Sequence, residues 1–369
     1  MRPVRNEENK RTGMNGMSWE DGVRKVVPYV PGEQPKGADL IKLNTNENPY
    51  PPAPEVETAL NSISYEKMRL YPDPECTELV EALSECYGVS KKQIFVGIGS
   101  DDVLALAFLT FFNTGKPILF PDITYSFYDV WADLFRIPYE QIPLDGEFKI
   151  RAQDYMDREC GGIVIANPNA PTGAFLPSEE LEKIVAANRD VVVIVDEAYI
   201  DFGGESALPL VEKYENLMVV QTFSKSRAMA GMRIGYAFGS EKLIGYLLDC
   251  RFSFNSYPLN GPALAAGAAA LKNDCYFKEI CGRIIRTRER VKAELRELGF
   301  SFADSKTNFV FASHEKVPAE EIYKMLREKR IYVRYFKKPR INNHLRITIG
   351  TDEQMDRLLL ELREYLGKL

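Results

Sequence analysis

The chain is poor in histidine: its 369 residues include two, His314 and His344. That argues against a histidine metal site or a serine–histidine triad. The six cysteines show no CxxC spacing and are typical of reduced thiols in the cytosol. No apolar run approaches a membrane span, the N-terminal segment is polar rather than signal-like, and a formal charge of −6 gives no reason to expect nucleic acid. We therefore expect a cytoplasmic protein without metal, membrane or nucleic-acid partners.

The most informative stretch is QTFSK at 221–225, which follows an apolar run and precedes Arg233. A lysine at a strand end can form an imine with an aldehyde, and burial lowers its pKa enough to make it nucleophilic. The hydroxyls of Thr222 and Ser224 and the guanidinium of Arg233 can hold a phosphate. An aldehyde with a phosphate describes pyridoxal 5'-phosphate (PLP). Taken alone, however, the stretch fits a solvated surface Lys225 better, since lysine is rarely buried.

A second segment favours the cofactor. The β-branched run 191–195 is typical of a strand buried on both faces of a parallel sheet, and it ends at Asp196. An acid at that end lies where open α/β sheets bind ligands, and PLP requires a carboxylate to pair with its protonated ring nitrogen. Tyr199 can donate a hydrogen bond to the ring hydroxyl oxygen. The alternative, a simple helix N-cap at Asp196, is weakened by Lys225 at the next strand's end.

A third segment, ANPNAPTG at 166–173, follows the strand-like residues 162–165. Its prolines and asparagines predict a rigid turn that cannot continue the strand. At the same sheet edge as Asp196 and Lys225, such a turn can bring a polar group to the cofactor.

Together, the three segments resemble the fold-type I PLP-dependent aminotransferases. Further stretches are similar to the histidinol-phosphate aminotransferases among them: PYVPG at 28–32, LNTNENP at 43–49, LYPDP at 70–74, GIGSDD at 97–102 and LRIT at 345–348. The resemblance runs from about Tyr29 to the C-terminus. It is highly specific for the superfamily because the motifs occur in the right order, and it is weaker for the substrate.

The resemblance implies a role for each motif residue. Lys225 would be the aldimine lysine and the proton shuttle, which is general acid–base work by an amine of lowered pKa. Asp196 would pair with the pyridinium, and Tyr199 with the ring oxygen. Further cofactor contacts are implied for Ser100, Asp101, Tyr125, Asn169, Thr222, Ser224, Arg233 and, across a homodimer, Tyr71 of the partner subunit.

Two of these contacts have plain alternatives. Ser100 and Asp101 open a helix, where free N–H groups and the helix dipole suit a phosphate, but a helix cap explains the turn equally well. The same turn half-resembles a dinucleotide fingerprint, except that Asp102 stands in place of the third glycine. Tyr125 matches an aromatic residue that stacks on the ring, although it is one of 19 tyrosines.

Substrate binding is assigned to Arg346 and Arg334, because a guanidinium recognises a carboxylate or phosphate in bidentate fashion. By resemblance, Arg346 holds the amino-acid carboxylate, and Arg334 is placed like a second substrate arginine. Both arginines with Tyr29 would suit a phosphate ester in one half-reaction and glutamate in the other. A solvated strand arginine is nearly as good an interpretation of Arg334.

One position departs from the family pattern. The family usually has asparagine immediately before Pro-Thr-Gly, where its side chain contacts the ring oxygen, but this chain has Ala170. Either Asn169 or Asn167 substitutes, or the contact is missing.

The order of patterns predicts two domains. Strand-like and helical runs alternate from about residue 50 to 280, which indicates an α/β fold with a mostly parallel sheet covered on both faces. A smaller α+β domain follows, as in the aspartate-aminotransferase-like fold. We expect a PLP-binding large domain at 46–280, a small C-terminal domain at 281–369, and an N-terminal segment, 1–45, that packs with the small domain. Residues 1–18 are expected to be mobile or loosely packed.

The expected function is a PLP-dependent aminotransferase, histidinol-phosphate:2-oxoglutarate aminotransferase in histidine biosynthesis. Its partners would be glutamate or 2-oxoglutarate and a phosphorylated amino alcohol. A threonine-phosphate decarboxylase and an aromatic amino-acid aminotransferase are alternatives on the same fold, since the protein selects which Cα bond breaks. A non-catalytic PLP-binding protein and a nicotinamide-dependent dehydrogenase are less well supported.

Overall fold

The computed structural model describes residues 18–368, so all but Ser18 of the segment expected to be loose lies outside the described residues. Ten helices are described: α1 (Pro54–Asn61), α2 (Thr77–Tyr87), α3 (Gly99–Phe111), α4 (Tyr128–Phe135), α5 (Ser178–Ala187), α6 (Glu241–Phe254), α7 (Gly261–Ala270), α8 (Asp274–Glu297), α9 (Ala319–Glu328) and α10 (Asp352–Leu366). Within that range, no helix combines the length and apolar character needed to cross a bilayer.

Seven strands form the larger sheet, in the spatial order β2-β8-β7-β6-β5-β3-β4. They are β2 (Ile94–Ile98), β3 (Ile118–Pro121), β4 (Tyr139–Ile142), β5 (Gly162–Ala166), β6 (Val193–Asp196), β7 (Leu217–Thr222) and β8 (Ile234–Phe238). Strand β8 runs antiparallel to both of its neighbours, and the other pairs are parallel. The predicted mostly parallel sheet is therefore confirmed.

Both faces of this sheet are covered. Along β6, Val193 and Val195 face one hydrophobic core, and Ile194 faces the core on the opposite side. All three are fully buried. Successive strand side chains point to opposite faces, so a strand between two helical layers must be apolar at every position. This explains the uninterrupted β-branched run.

Five strands form the smaller sheet, in the order β1-β11-β12-β10-β9. They are β1 (Ile41–Leu43), β9 (Phe300–Phe302), β10 (Phe309–His314), β11 (Ile331–Tyr335) and β12 (Leu345–Thr348). Strand β1 pairs in parallel with β11, which ties the N-terminal segment to the C-terminal part of the chain. A separate core, which includes Leu43, Val310 and Ile347, lies between this sheet and its helices. The proposed boundary after residue 280 falls within α8.

Several elements end at one edge of the larger sheet. Strands β5, β6 and β7 are parallel and in register there, with Ala166 opposite Asp196 and Asp196 opposite Val220. Because β8 is antiparallel, its first residue lies at the same edge, and β2 also finishes there, immediately before α3. Loops from five strands therefore meet at this edge, which is where open α/β sheets bind ligands.

The strand-like residues 162–165 and the run 191–195 correspond to β5 and β6, with small shifts at their ends. The sequence patterns did not indicate β1, α1, β4, α4, α6 or β9. Strand β4 reads Tyr-Glu-Gln-Ile and is exposed along most of its length, as an edge strand can be, so it lacks the apolar run of the inner strands.

A close backbone approach at Gly235 gives a test of this arrangement. A Cβ on Gly235 would lie 2.2 Å from Gly99 C and 2.2 Å from Ser100 N, at the start of α3. Gly235→Ala must push the two backbones apart, and we expect a loss of about 1–3 kcal/mol in the free energy of unfolding. Chemical denaturation would measure it. Gly245→Ala in α6 is the matched control, because nothing lies within 4 Å of its added methyl group. Equal stabilities for the two variants would contradict the close packing.

Candidate active site

A cavity opens where the strand ends meet. It encloses ≈ 760 Å³ of empty space, part of it open to solvent, which is in the usual range of small-molecule sites. Its walls include Ser100, Tyr125, Asp196, Tyr199, Lys225 and Arg233. These residues come from four separate segments of the chain, at the start of α3, after β3, at the end of β6 and between β7 and β8. Among residues 18–368, no cluster of histidine, cysteine and carboxylate side chains suits a metal ion.

Lys225 lies three residues after the end of β7 and is half-buried. Its Nζ donates to the backbone oxygen of Thr45 at 3.3 Å and lies 5.8 Å from the centroid of the Tyr199 ring. The Asn48 side chain donates to the Lys225 backbone oxygen at 3.1 Å, which holds the loop. A primary amine at the cavity wall with one weak backbone acceptor is available for covalent chemistry with a carbonyl compound.

Asp196 lies at the end of β6 and is 5% exposed. Burial raises its pKa to about 6, although the hydroxyl of Tyr128, which donates to Oδ2 at 2.9 Å, and the backbone N–H of Ala198 both favour the charged form. A desolvated carboxyl group gains most from an opposite charge delivered by a ligand. The site can therefore bind a protonated ring nitrogen.

The other end of the cavity is suited to an anion. The first N–H groups of α3, at Gly99–Asp101, have no acceptor within their own helix. Thr222 and Ser224 lie opposite, with their hydroxyl oxygens 3.0 Å apart. Arg233 points to the same place, and its Nη2 lies 3.2 Å from Asp101 Oδ2. Hydroxyl groups, a helix N-terminus and a guanidinium together form a phosphate-binding set.

Two tyrosines form aromatic walls. Tyr125 donates to Asp101 Oδ1 at 2.7 Å, which fixes its ring beside the helix start. Burial, followed by the adjacent Asp101, raises the pKa of Tyr125 far above its usual value, so the phenol stays protonated. The Tyr199 hydroxyl accepts a hydrogen bond from Asn46 Nδ2 at 2.8 Å.

The side chains of the two asparagines in the turn after β5 form hydrogen bonds with nearby protein groups. Asn169 Oδ1 accepts from the Thr124 hydroxyl at 2.8 Å, and its Nδ2 donates to the backbone oxygen of Ile123 at 2.9 Å. Asn167 donates to and accepts from the backbone of Leu176 at 2.9 Å in both bonds. Ala170, in contrast, lines the cavity. The structure thus places Asn169 behind the cavity wall, and the turn presents no amide at the position where the family pattern has one.

The two candidate substrate arginines are neighbours. Arg334 on β11 and Arg346 on β12 are directly opposite each other in the antiparallel pairing. Arg346 donates to the Asn44 backbone oxygen at 3.0 Å, and its buried Nε has no hydrogen-bond partner among the described residues. Burial lowers the pKa of Arg346, and the Arg334 charge adds to this effect. Tyr29 lies nearby, with its ring stacked on Phe127 at 4.1 Å.

Tyr71 lies elsewhere on this chain. Its side chain is 81% exposed and stacks on Tyr257, with the ring centroids 4.6 Å apart. It does not line the cavity of its own subunit.

Comparison with known proteins identifies the family to which the chain belongs. Residues 38–362 match the family described as aminotransferase class I and II. The chain belongs to this family. Histidinol-phosphate aminotransferase of Lactococcus lactis subsp. cremoris is 51% identical over 350 residues, which span 95% of this chain and 98% of that protein. Histidinol-phosphate aminotransferase 1 of Hydrogenovibrio crunogenus is 53% identical over 348 residues, 94% of this chain and 98% of that protein.

A solved structure agrees with these relatives. The histidinol-phosphate aminotransferase from Sinorhizobium meliloti, in complex with pyridoxal 5'-phosphate, superposes with a TM-score of 0.81 at 25% identity, covering 89% of this chain and 91% of that chain. The fold is the aspartate-aminotransferase-like, fold-type I architecture. This aminotransferase is accordingly a PLP-dependent transferase of amino groups.

The cavity of this aminotransferase fits PLP in its donor set. It has an amine for the aldehyde, a buried carboxyl group for the ring nitrogen and an anion-binding end for the phosphate. When bound, the cofactor takes up the amino group and serves as an electron sink for the Cα carbanion. The chain's own residues supply the binding, the orientation and the proton transfers.

Sequence reasoning missed three residues of this site. Tyr128 supports Asp196, and its position three residues after Tyr125 gave no separate signal. Thr45 and Asn46 were noted within a matching motif, but nothing in their local pattern shows that this segment reaches Lys225 and Tyr199. The Asn46–Tyr199 contact joins residues 153 positions apart in the chain, and the Thr45–Lys225 contact joins residues 180 positions apart. Such contacts depend on the tertiary fold.

Asp196 provides a stability test. Its pKa in the folded protein is raised from 3.8 to about 6, so the folded chain binds more protons than the unfolded chain between these values. Stability is therefore lost as the pH rises through this window and stays lost above it. We expect cofactor-free Asp196→Asn to be more stable than the parent by about 1–2 kcal/mol at pH 7.5, with the difference shrinking toward pH 4. Urea denaturation at both pH values would measure this. A variant that is less stable at pH 7.5 would contradict the burial argument.

Proposed function

We propose that this aminotransferase moves the amino group from glutamate to the ketone of a phosphorylated alcohol. In the direction that leads to histidine, glutamate becomes 2-oxoglutarate, and imidazole-acetol phosphate becomes the phosphorylated amino alcohol histidinol phosphate. The relatives that share about half of its residues over nearly the whole chain are named for histidinol phosphate. The observation that carries the proposal is the pair of adjacent arginines on β11 and β12, of which Arg346 contacts Asn44, the neighbour of the cavity residue Thr45.

Arg334 and Arg346 form a like-charge pair across two strands, and such a pair is unfavourable unless an anion joins it. Within residues 18–368, each guanidinium donates to a backbone carbonyl, at the Val30 and Asn44 oxygens, instead of to a carboxylate. Two guanidinium groups can share one doubly charged phosphate, and the same groups can bind the carboxylates of glutamate. This supports substrates that alternate between a phosphate and a carboxylate.

The remaining roles in the proposal belong to the cofactor site. Lys225 would hold the aldehyde group of the cofactor and would move the proton to and from the substrate Cα, a step that needs its neutral amine. Asp196 balances the charge of the protonated ring nitrogen. Tyr125 packs against the ring and Tyr199 donates to the ring oxygen. Ser100, Thr222, Ser224 and Arg233 bind the phosphate, and Asp101 contributes its backbone N–H, since its carboxylate would repel an anion.

A substrate panel tests the proposal. PLP-loaded protein should lose its visible cofactor absorbance with histidinol phosphate and with glutamate, and regain it with 2-oxoglutarate. Arg346→Gln should raise KM for histidinol phosphate about 10- to 100-fold, because it removes hydrogen bonds to a charged group. The exposed Lys338 makes Lys338→Gln a control that should leave KM unchanged.

Other outcomes of this panel identify the rivals. Carbon dioxide release from threonine phosphate would replace the proposal with a decarboxylase, and preferred turnover of phenylalanine would replace it with an aromatic aminotransferase. Unchanged turnover in Lys225→Ala would contradict the role of the lysine.

We further propose a homodimer in the cytoplasm. Exposed apolar side chains occur in two segments that lie side by side, at 65–71 and 252–257, and include Tyr65, Met68, Leu70, Tyr71 and Phe254. Exposed apolar surface of this kind is typical of a subunit interface. The six cysteines are free, which suits a reducing compartment.

Subunit mixing tests whether Tyr71 acts across the dimer. Homodimers of Lys225→Ala should be inactive, and those of Tyr71→Ala should have weak cofactor binding. In a mixed dimer, one site combines an intact Lys225 with an intact Tyr71 of the partner subunit. Denaturing and refolding the two variants together should therefore raise the specific activity above the mean of the separate preparations. Activity equal to that mean would show that Tyr71 does not act between subunits.

A further inference from the structure

Residues 44–46, which follow β1, contact three functional side chains in succession. The Asn44 backbone oxygen accepts from Arg346 Nη2 at 3.0 Å, and the Thr45 backbone oxygen accepts from Lys225 Nζ at 3.3 Å. The next residue, Asn46, donates from Nδ2 to the Tyr199 hydroxyl at 2.8 Å. One short segment thus connects the substrate arginine, the lysine and the tyrosine.

Asn46 is held firmly for this contact. It is 1% exposed and has a φ of 57°, a left-handed conformation that asparagine tolerates better than most residues. Its backbone N–H donates to the Thr348 hydroxyl oxygen at 3.1 Å, and its backbone oxygen accepts from the Asn308 side chain at 3.0 Å. The Thr348 hydroxyl donates to Asn46 Oδ1 at 3.0 Å. Since Oδ1 faces this donor, the amide NH₂ group faces Tyr199.

This orientation decides where the Tyr199 proton goes. A phenol carries one hydrogen, and its oxygen can accept as well as donate. The NH₂ group of Asn46 can only donate, so the Tyr199 oxygen must act as the acceptor in that bond. The hydroxyl hydrogen is therefore free to point into the cavity that Tyr199 lines.

We propose that Asn46 is a positioning residue that makes Tyr199 a donor to the ring oxygen of the cofactor, and that Thr348 on β12 fixes the Asn46 amide. This inference rests on the proposed role of Tyr199. It also accounts for Ala170, which offers no side-chain donor to the cavity, while Asn167 and Asn169 are engaged in the turn. Because Ala170 supplies no donor, the hydrogen bond to the ring oxygen depends more strongly on how the Tyr199 hydroxyl is oriented.

The pH titration of the bound cofactor's visible absorbance tests the proposal. A hydrogen bond donated to the ring oxygen stabilises its negative charge and lowers the pKa of the imine nitrogen beside it. We expect Tyr199→Phe to raise the midpoint by about one pH unit, and Asn46→Ala to raise it by about half of that. In the Tyr199→Phe background, Asn46→Ala should add little, because Asn46 acts through the Tyr199 hydroxyl, which that background already lacks.

Two further variants separate positioning from stability. Thr348→Val should raise the midpoint in the same direction but less. Asn188→Ala removes a buried amide that bonds to Tyr155 and Ile184 instead of this segment, and it should lower stability without moving the midpoint.

An unshifted midpoint in Asn46→Ala, or a shift that persists undiminished in the Tyr199→Phe background, would overturn the proposal. A parent protein that shows no cofactor band with added PLP would instead overturn the proposed function, so the two failures are distinguishable.

Discussion

The site depends on a buried negative charge at the end of a central strand. Asp196 lies between two hydrophobic layers, where its ionised form is costly. The hydrogen bonds from Tyr128 and Ala198 offset only part of this cost. The apolar strands around β6 create the desolvation, and the parallel register brings the lysine and the phosphate-binding loops to the same edge. A cationic ring nitrogen would supply the opposite charge, so the same burial that lowers the stability of the cofactor-free protein would favour cofactor binding.

Residues that follow strand β1 of the smaller sheet, Thr45 and Glu47, line part of the cavity. Strand β1 pairs with β11, and the residues that follow β1 reach both the lysine and the substrate arginine. Strand β12 carries both Arg346, the proposed substrate arginine, and Thr348, whose hydroxyl bonds to Asn46. Substrate binding and cofactor orientation therefore share one strand and one short segment. A change in the position of the smaller sheet would alter both substrate binding and cofactor orientation.

The sequence predicted the inner sheet well because a strand buried on both faces must be apolar throughout, as residues 193–195 are. It predicted the positions of Lys225 and Asp196 because strand ends converge in parallel sheets. It did not predict β4, whose exposed edge tolerates polar residues, or the roles of Tyr128 and Asn46. Those roles arise from contacts such as Tyr128 with Asp196 and Asn46 with Tyr199, which no local pattern encodes. Ala170 was identified as a departure, but the involvement of Asn167 and Asn169 in the turn became clear only from their hydrogen bonds.

The most direct measurement of the central claim is the identity of the lysine that holds the cofactor. PLP-loaded protein can be reduced with borohydride, digested and analysed by mass spectrometry. The structure predicts that the added mass is on the peptide that contains Lys225. Label on a different lysine, or no label on a protein that folds normally, would contradict the account.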